Sequence, residues 1–125
     1  MVTLFVDEAY AFDFLSILEV KANKIHTLDT QKNLSNYINA FNMQFGEKKM
    51  AEIRSSPEYA KLYEANSTTF DLVDKAKTDS CKASDVDRAN YERCKARKAL
   101  QDRFFPERSI TETKVGYEVY DNGTT

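Results

Sequence analysis

The stretch that most constrains this chain is residues 7–25, DEAYAFDFLSILEVKANKI. At 3.6 residues per turn, Tyr10, Ala11, Phe14, Leu15, Ile17, Leu18, Ala22 and Ile25 share one broad face. That face is wider than the roughly 100° stripe of a helix lying on a core. It predicts a central helix against which the others pack. Phe12 and Val20 fall on the opposite side, about 80° apart, with Ala9 between them. Two apolar residues on a face that should meet water ask for burial all round. Either helices clasp the element from both sides, or Phe12 and Val20 belong to a subunit interface.

The remaining pattern is helical as far as residue 105. Leu34, Ile38, Phe41 and Phe45 recur at i, i+4, i+7 and i+11, and Gly46 supplies a C-terminal stop, which predicts a helix over 29–45. A short helix over 47–54 offers Met50, Ala51 and Ile53. Ser55 followed three residues later by Glu58, with Pro57 in the first turn, reads as a capping box opening a helix over 56–79. Its stripe is Tyr59, Leu62, Tyr63, Phe70, Val73 and Ala76, and Asn66 sits within it as a polar residue able to fix register. The last helix, 85–105, presents Val86, Ala89, Ala96, Leu100 and Phe104 and is stopped by Pro106. Beyond it Val115, Tyr117 and Val119 alternate with polar neighbours, as in an extended arm. Three Gly and two Pro leave little material for the tight turns of a β-sandwich or barrel.

Several kinds of chemistry are excluded. Gly46, Gly116 and Gly123 are isolated, so neither a P-loop nor a dinucleotide fingerprint exists. Histidine-based nucleophilic catalysis has only His26 to draw on, at a predicted helix end where a surface or capping role suffices. Cys81 and Cys94 lack the spacing of a zinc site and make no disulfide framework. No Glu-x-x-His occurs, so the di-iron bundle pattern is missing. The opening MVTLFVDEAY has no basic n-region and turns acidic at Asp7, unlike a signal peptide. No apolar run reaches the roughly 18 residues that span a bilayer. The expectation is a cytoplasmic chain without membrane contact.

Two features compete with these exclusions. Asp71 and Asp74 lie about one helical turn apart and could hold a divalent cation if a facing helix supplied a second acidic pair. Arg93 lies within the apolar stripe of the last helix with Arg97 one turn on, so its guanidinium must find a carboxylate or anion, or reach water along its stem. Asp13 and Glu19 on the central helix are the candidate partners. Residues 82–108 carry eight Lys or Arg against five Asp or Glu, a local +3 in a chain of net charge −2. The chain as a whole has no pull toward nucleic acid, and only such a local patch could provide one.

The sequence thus leads to an all-α fold, a four-helix-bundle-like single domain over residues 1–106. A short linking helix joins its second and third main helices, and an extended C-terminal arm covers 107–125. The leading functional expectation is a non-enzymatic interaction module that self-associates, a dimer being favoured, or binds another protein. Phe12, Val20, Val115, Tyr117 and Tyr120 are its candidate interface. The second is weak binding of nucleic acid or another anionic ligand through Arg88, Arg93, Arg97 and Lys98. The third is a metal-dependent hydrolase built on Asp71 and Asp74. No catalytic residue, metal ligand or cofactor is assigned.

Overall fold

A computed structural model describes residues 1–2, 5–77 and 82–108, the side chains of Ala76 and Arg108 excepted. Five α-helices follow in order: α1 (Glu8–Lys24), α2 (Leu28–Phe45), α3 (Glu47–Arg54), α4 (Pro57–Lys77) and α5 (Ala83–Phe104). A single 3₁₀ turn, Pro106–Arg108, ends the described chain. Among the described residues there is no strand, and no helix is long and apolar enough to cross a membrane. The fold is all-α and bundle-like, with the short α3 linking α2 to α4, as the periodicity predicts. The expected arm, with Val115, Tyr117 and Tyr120, lies outside the described residues.

Local chemistry sets the helix ends. Asp7 caps α1, its Oδ1 accepting from the Tyr10 N–H at 2.9 Å, and Glu8 follows in the first turn where the helix dipole favours an anion. Thr27 and Thr30 cap α2 reciprocally. At α4 the cap is Ser56 rather than the expected Ser55. Ser56 Oγ accepts from the Tyr59 N–H at 3.1 Å, whereas Ser55 Oγ donates back to the Ala51 carbonyl. Pro57 then sits at the first helical position, where its missing N–H costs no bond.

α1 is the centre. It packs against α2, α4 and α5, while α4 and α5 share the most extensive interface and α2 rests mainly on α1 and α3. The core joins Ala9, Phe12 and Leu15 of α1 to Met50, Ile53, Tyr59, Leu62, Ala96, Leu100 and Phe104. Leu34, Ile38, Phe41 and Phe45 of α2 close over it from outside.

The face that α1 turns inward differs from the expected one. Ala9, Phe12, Asp13, Leu15, Ser16, Leu18, Val20 and Ala22 are buried, an arc of roughly 220° at 100° per residue. Tyr10, Phe14 and Ile25, expected in the core, are exposed. Only Leu15, Leu18 and Ala22 are common to both readings. Two physical reasons account for the rotation. Small Ala9 and Ser16 let the neighbouring helices approach closely, and Asp13 is drawn inward by arginines on α5. Phe12 and Val20, at 0% and 1% exposure, are covered by their own chain. Phe12 packs its ring against Phe41, Phe45 and Phe105. Of the two alternatives open for these residues, clasping within one chain accounts for both. They present no surface to a partner, and the interface expectation loses the grounds they gave it.

Candidate functional site

Among the described residues, the most concentrated polar arrangement surrounds Asp13. Its side chain, 4% exposed, accepts from Arg93 Nε at 3.0 and 3.1 Å and from Arg93 Nη2 at 2.7 Å. Arg97 Nη1 stands 3.5 Å from the same Oδ2, and the Arg97 guanidinium lies over the Tyr10 ring. Asn66 Nδ2 donates to Asp13 Oδ1 at 2.9 Å and to Ser16 Oγ at 2.6 Å, and Ser16 Oγ donates to the Asp13 carbonyl. α1, α4 and α5 are thereby joined through one buried carboxylate.

The arrangement has a definite chemical meaning. The bond to Asp13 raises the Arg93 pKa above its ordinary value and outweighs burial, which lowers it, so Arg93 stays protonated. Both Asp13 oxygens are occupied by donors, leaving no lone pair aimed at a substrate. The network binds helices together. It has the form neither of a general base nor of an anion cradle.

The basic residues proposed for nucleic acid do not form one surface. Arg93 and Arg97 converge inward on Asp13. Lys98 points outward to Asp102 at 3.1 Å, one turn along α5. Arg88 lies in a groove between α4 and α5, about 80° around the helix from Lys98. Arg103 pairs with Glu58, which also accepts a backbone N–H, and these two bonds hold the Glu58 carboxyl below its ordinary range. The acidic pair faces lysines rather than further carboxylates. Asp71 pairs with Lys24 at 2.9 Å, and Asp74 lies 4.0 Å from Lys77. Among the described residues no three His, Cys, Asp or Glu side chains gather as metal ligands would. His26 is exposed between α1 and α2, Cys94 is half-buried, and Cys81 is outside the described residues.

Three arrangements were not foreseen. Glu19 Oε1 accepts from Arg54 at 2.9 and 3.1 Å and from the Tyr59 hydroxyl at 2.7 Å, tying α3 and α4 to α1. Burial first, and the Glu19 carboxylate second, raise the Tyr59 pKa well above the usual phenol value. Gln101, 1% exposed, accepts the Ala9 N–H at 2.7 Å and donates to the Phe105 carbonyl at 2.9 Å. The α4–α5 groove, of about 680 Å³, is floored by Ala65, Ala89, Ala96 and Ala99. Its charged rim is balanced, with Lys61, Arg88 and Lys95 against Glu64, Asp85 and Glu92. The small residues were the available sequence signal for the groove; nothing marked Gln101.

On the outside of α1 and α2, Tyr10 and Phe14 stand one turn apart with Tyr37 against Phe14, ring centroids 5.2 Å apart at 63°. They are 50%, 42% and 38% exposed. The chain leading into α1 adds exposed Phe5 and Val6. No protein-family model, curated protein or solved structure matches this chain.

Proposed function

We propose that the chain is a small non-enzymatic helical interaction module that associates with a second copy of itself through the outer faces of α1 and α2. The observation that carries this reading is the exposed aromatic ridge of Tyr10, Phe14 and Tyr37. Aromatic anchors of this kind supply contact area at low entropic cost, and interfaces concentrate their energy in them. At 150–250 Å² per ring, the exposed parts of the three amount to roughly 200–300 Å². That is the centre of an interface rather than a whole one, since a stable partner buries about 800 Å². Association is accordingly reversible and concentration-dependent. A net charge of −2 offers little self-repulsion against it. A cytoplasmic setting, in which the two cysteines stay reduced, goes with this reading.

Sedimentation velocity from about 1 to 100 μM tests it, a range set by the micromolar strength such a patch supports. The wild-type chain should show a reversible monomer–dimer equilibrium. Phe14→Ser with Tyr37→Ser should weaken it at least about tenfold while leaving the helical signal intact. A wild-type chain that stays monomeric over the whole range sinks the proposal.

A further inference from the structure

Gly46 is the only residue between α2 and α3, closing the first helix and opening the second. With φ 87° and ψ 147° it lies near a region of backbone space that essentially only glycine enters. The α2 side is closed by the Gly46 N–H bonding to the Asn42 carbonyl. The α3 side is not: its first turn has no side-chain cap, because glycine has none to offer. If Gly46 turned to helical angles, α2 and α3 would run on as one helix from Leu28 to Arg54. The leading N–H groups of α3 would then meet the last carbonyls of α2.

What keeps the bend is the docking of the hairpin on its own bundle, α1 on α4 and α5 and α2 on α3. The α2 share of it is shallow, as none of the eighteen residues of α2 is buried. At the other end α2 is fastened to α1 more firmly. Gln31 Nε2 donates to the Ala22 carbonyl at 2.8 Å, and Thr30 Oγ1 to the Ile25 carbonyl at 2.6 Å. The Thr27–Thr30 cap lies within the turn that these two ties close. α1 and α2 thus form a hairpin that holds together, and Gly46 is its single flexible link to the rest of the bundle.

We infer that Gly46 is a hinge through which two copies of this chain exchange their α1–α2 hairpins. In the exchanged dimer α2 and α3 straighten into one helix, and the α1 of each copy docks on α4 and α5 of the other. Asp13 of one copy meets Arg93 and Asn66 of the other, and Gln101 again accepts the Ala9 N–H. All contacts outside the hinge re-form between copies. The closed and exchanged forms therefore differ only at the hinge and in the freedom lost on association. Exchange rests on the same self-association reading but does not use the ridge, since Tyr10, Phe14 and Tyr37 move together on the hairpin.

The test reads the hinge and the dimer separately. Spin labels enter at Lys32→Cys and Glu52→Cys, both exposed, in a full-length chain carrying Cys81→Ser and Cys94→Ser. Labelled chain is refolded with excess unlabelled chain, so only the distance within one chain is read. A continuous helix places these two backbones about 30 Å apart, at 1.5 Å per residue, and any bend at Gly46 brings them closer. Gly46→Ala strains the closed form and favours the helical one by about tenfold per hinge, hence about a hundredfold in the dimer association constant. Inserting two further glycines after Gly46 relaxes the closed form and should lower the dimer fraction below wild type. A Gly46→Ala dimer with the distance near 30 Å bears the inference out. A dimer that keeps the shorter monomer distance leaves self-association standing and overturns the hinge. Absence of dimer in wild type and Gly46→Ala alike overturns both. Should Gly46→Ala fail to fold, an insertion variant that dimerises as strongly as wild type overturns the hinge.

Discussion

Replacing Asp13 by alanine should destabilise the chain by about 3 kcal/mol. Breaking one side of a buried ion pair costs roughly 3–5 kcal/mol, because the surviving charge is left desolvated. Here the survivors are Arg93 and Arg97, whose side chains are 29% and 16% exposed. Arg93 can partly recover water along its stem, which places the loss near the lower end. Asn66 loses the Oδ1 acceptor while keeping its bond to Ser16, whose own bond goes to the backbone carbonyl of residue 13, a smaller addition. At about 2.1 cal/mol/K per residue, a chain of 125 residues has an unfolding entropy near 0.26 kcal/mol/K. The melting temperature should then fall by about 11 °C. Urea unfolding monitored by circular dichroism measures the free energy, and calorimetry gives the temperature shift. The decisive companion is Asp13→Leu with Arg93→Met and Arg97→Met. It should recover most of the loss, since apolar replacement of a whole buried ionic group is often neutral or stabilising. A loss under about 1 kcal/mol for Asp13→Ala would refute the argument, because exposed pairs have that value and the network would then be behaving as one.

Other consequences are sharper in direction than in size. Phe12→Ala should cost about 3–5 kcal/mol and Phe14→Ala under about 1 kcal/mol, measured by the same unfolding titration; the reverse order would mean that α1 is rotated toward the face its sequence suggests. Gln101→Leu should cost about 1–3 kcal/mol by stranding the Ala9 N–H, with hydrogen exchange accelerating at Ala9. Glu58 gives the pH dependence. Its folded pKa lies below 4.5, so its contribution is fully present above pH 4.5 and fades as pH falls through the lower folded value. Glu58→Gln should therefore flatten the acid limb of a stability–pH profile and leave the neutral plateau's shape unchanged.

The helices were legible because their signals are local. Asp7, Gly46, Pro57 and Pro106 each act on their own turn, and every main helix falls within two residues of its expected span. The pairing of Arg93 was half legible. A guanidinium inside an apolar stripe demands a partner, and Asp13 was one of the two acids that the sequence offered it on the central helix. Which side of α1 faces inward was not legible. Apolarity counted Tyr10 and Phe14 as core, where Asp13 and Ser16 are the residues buried. The outcome depended on Arg93, Arg97 and Asn66, at least 50 residues away in sequence. A periodicity measured along one helix carries no information about such partners. The same limit hid Gln101, whose only distinction is the N–H it meets at the far end of the chain.

That far end has a consequence for how the protein is made. Asp13 and Arg93 are 80 residues apart, and Ala9 and Gln101 are 92. At 5–20 residues per second, a ribosome needs about 4–16 s after making Asp13 before Arg93 exists. Until α5 is made, α1 carries Phe12 and Leu15 with α2, α3 and α4 to shield them but without Ala96, Leu100 and Phe104, which complete the core. The element that organises the finished molecule is thus the last to be satisfied during synthesis. Nascent chains halted before α5 should be the ones that chaperones hold and proteases find.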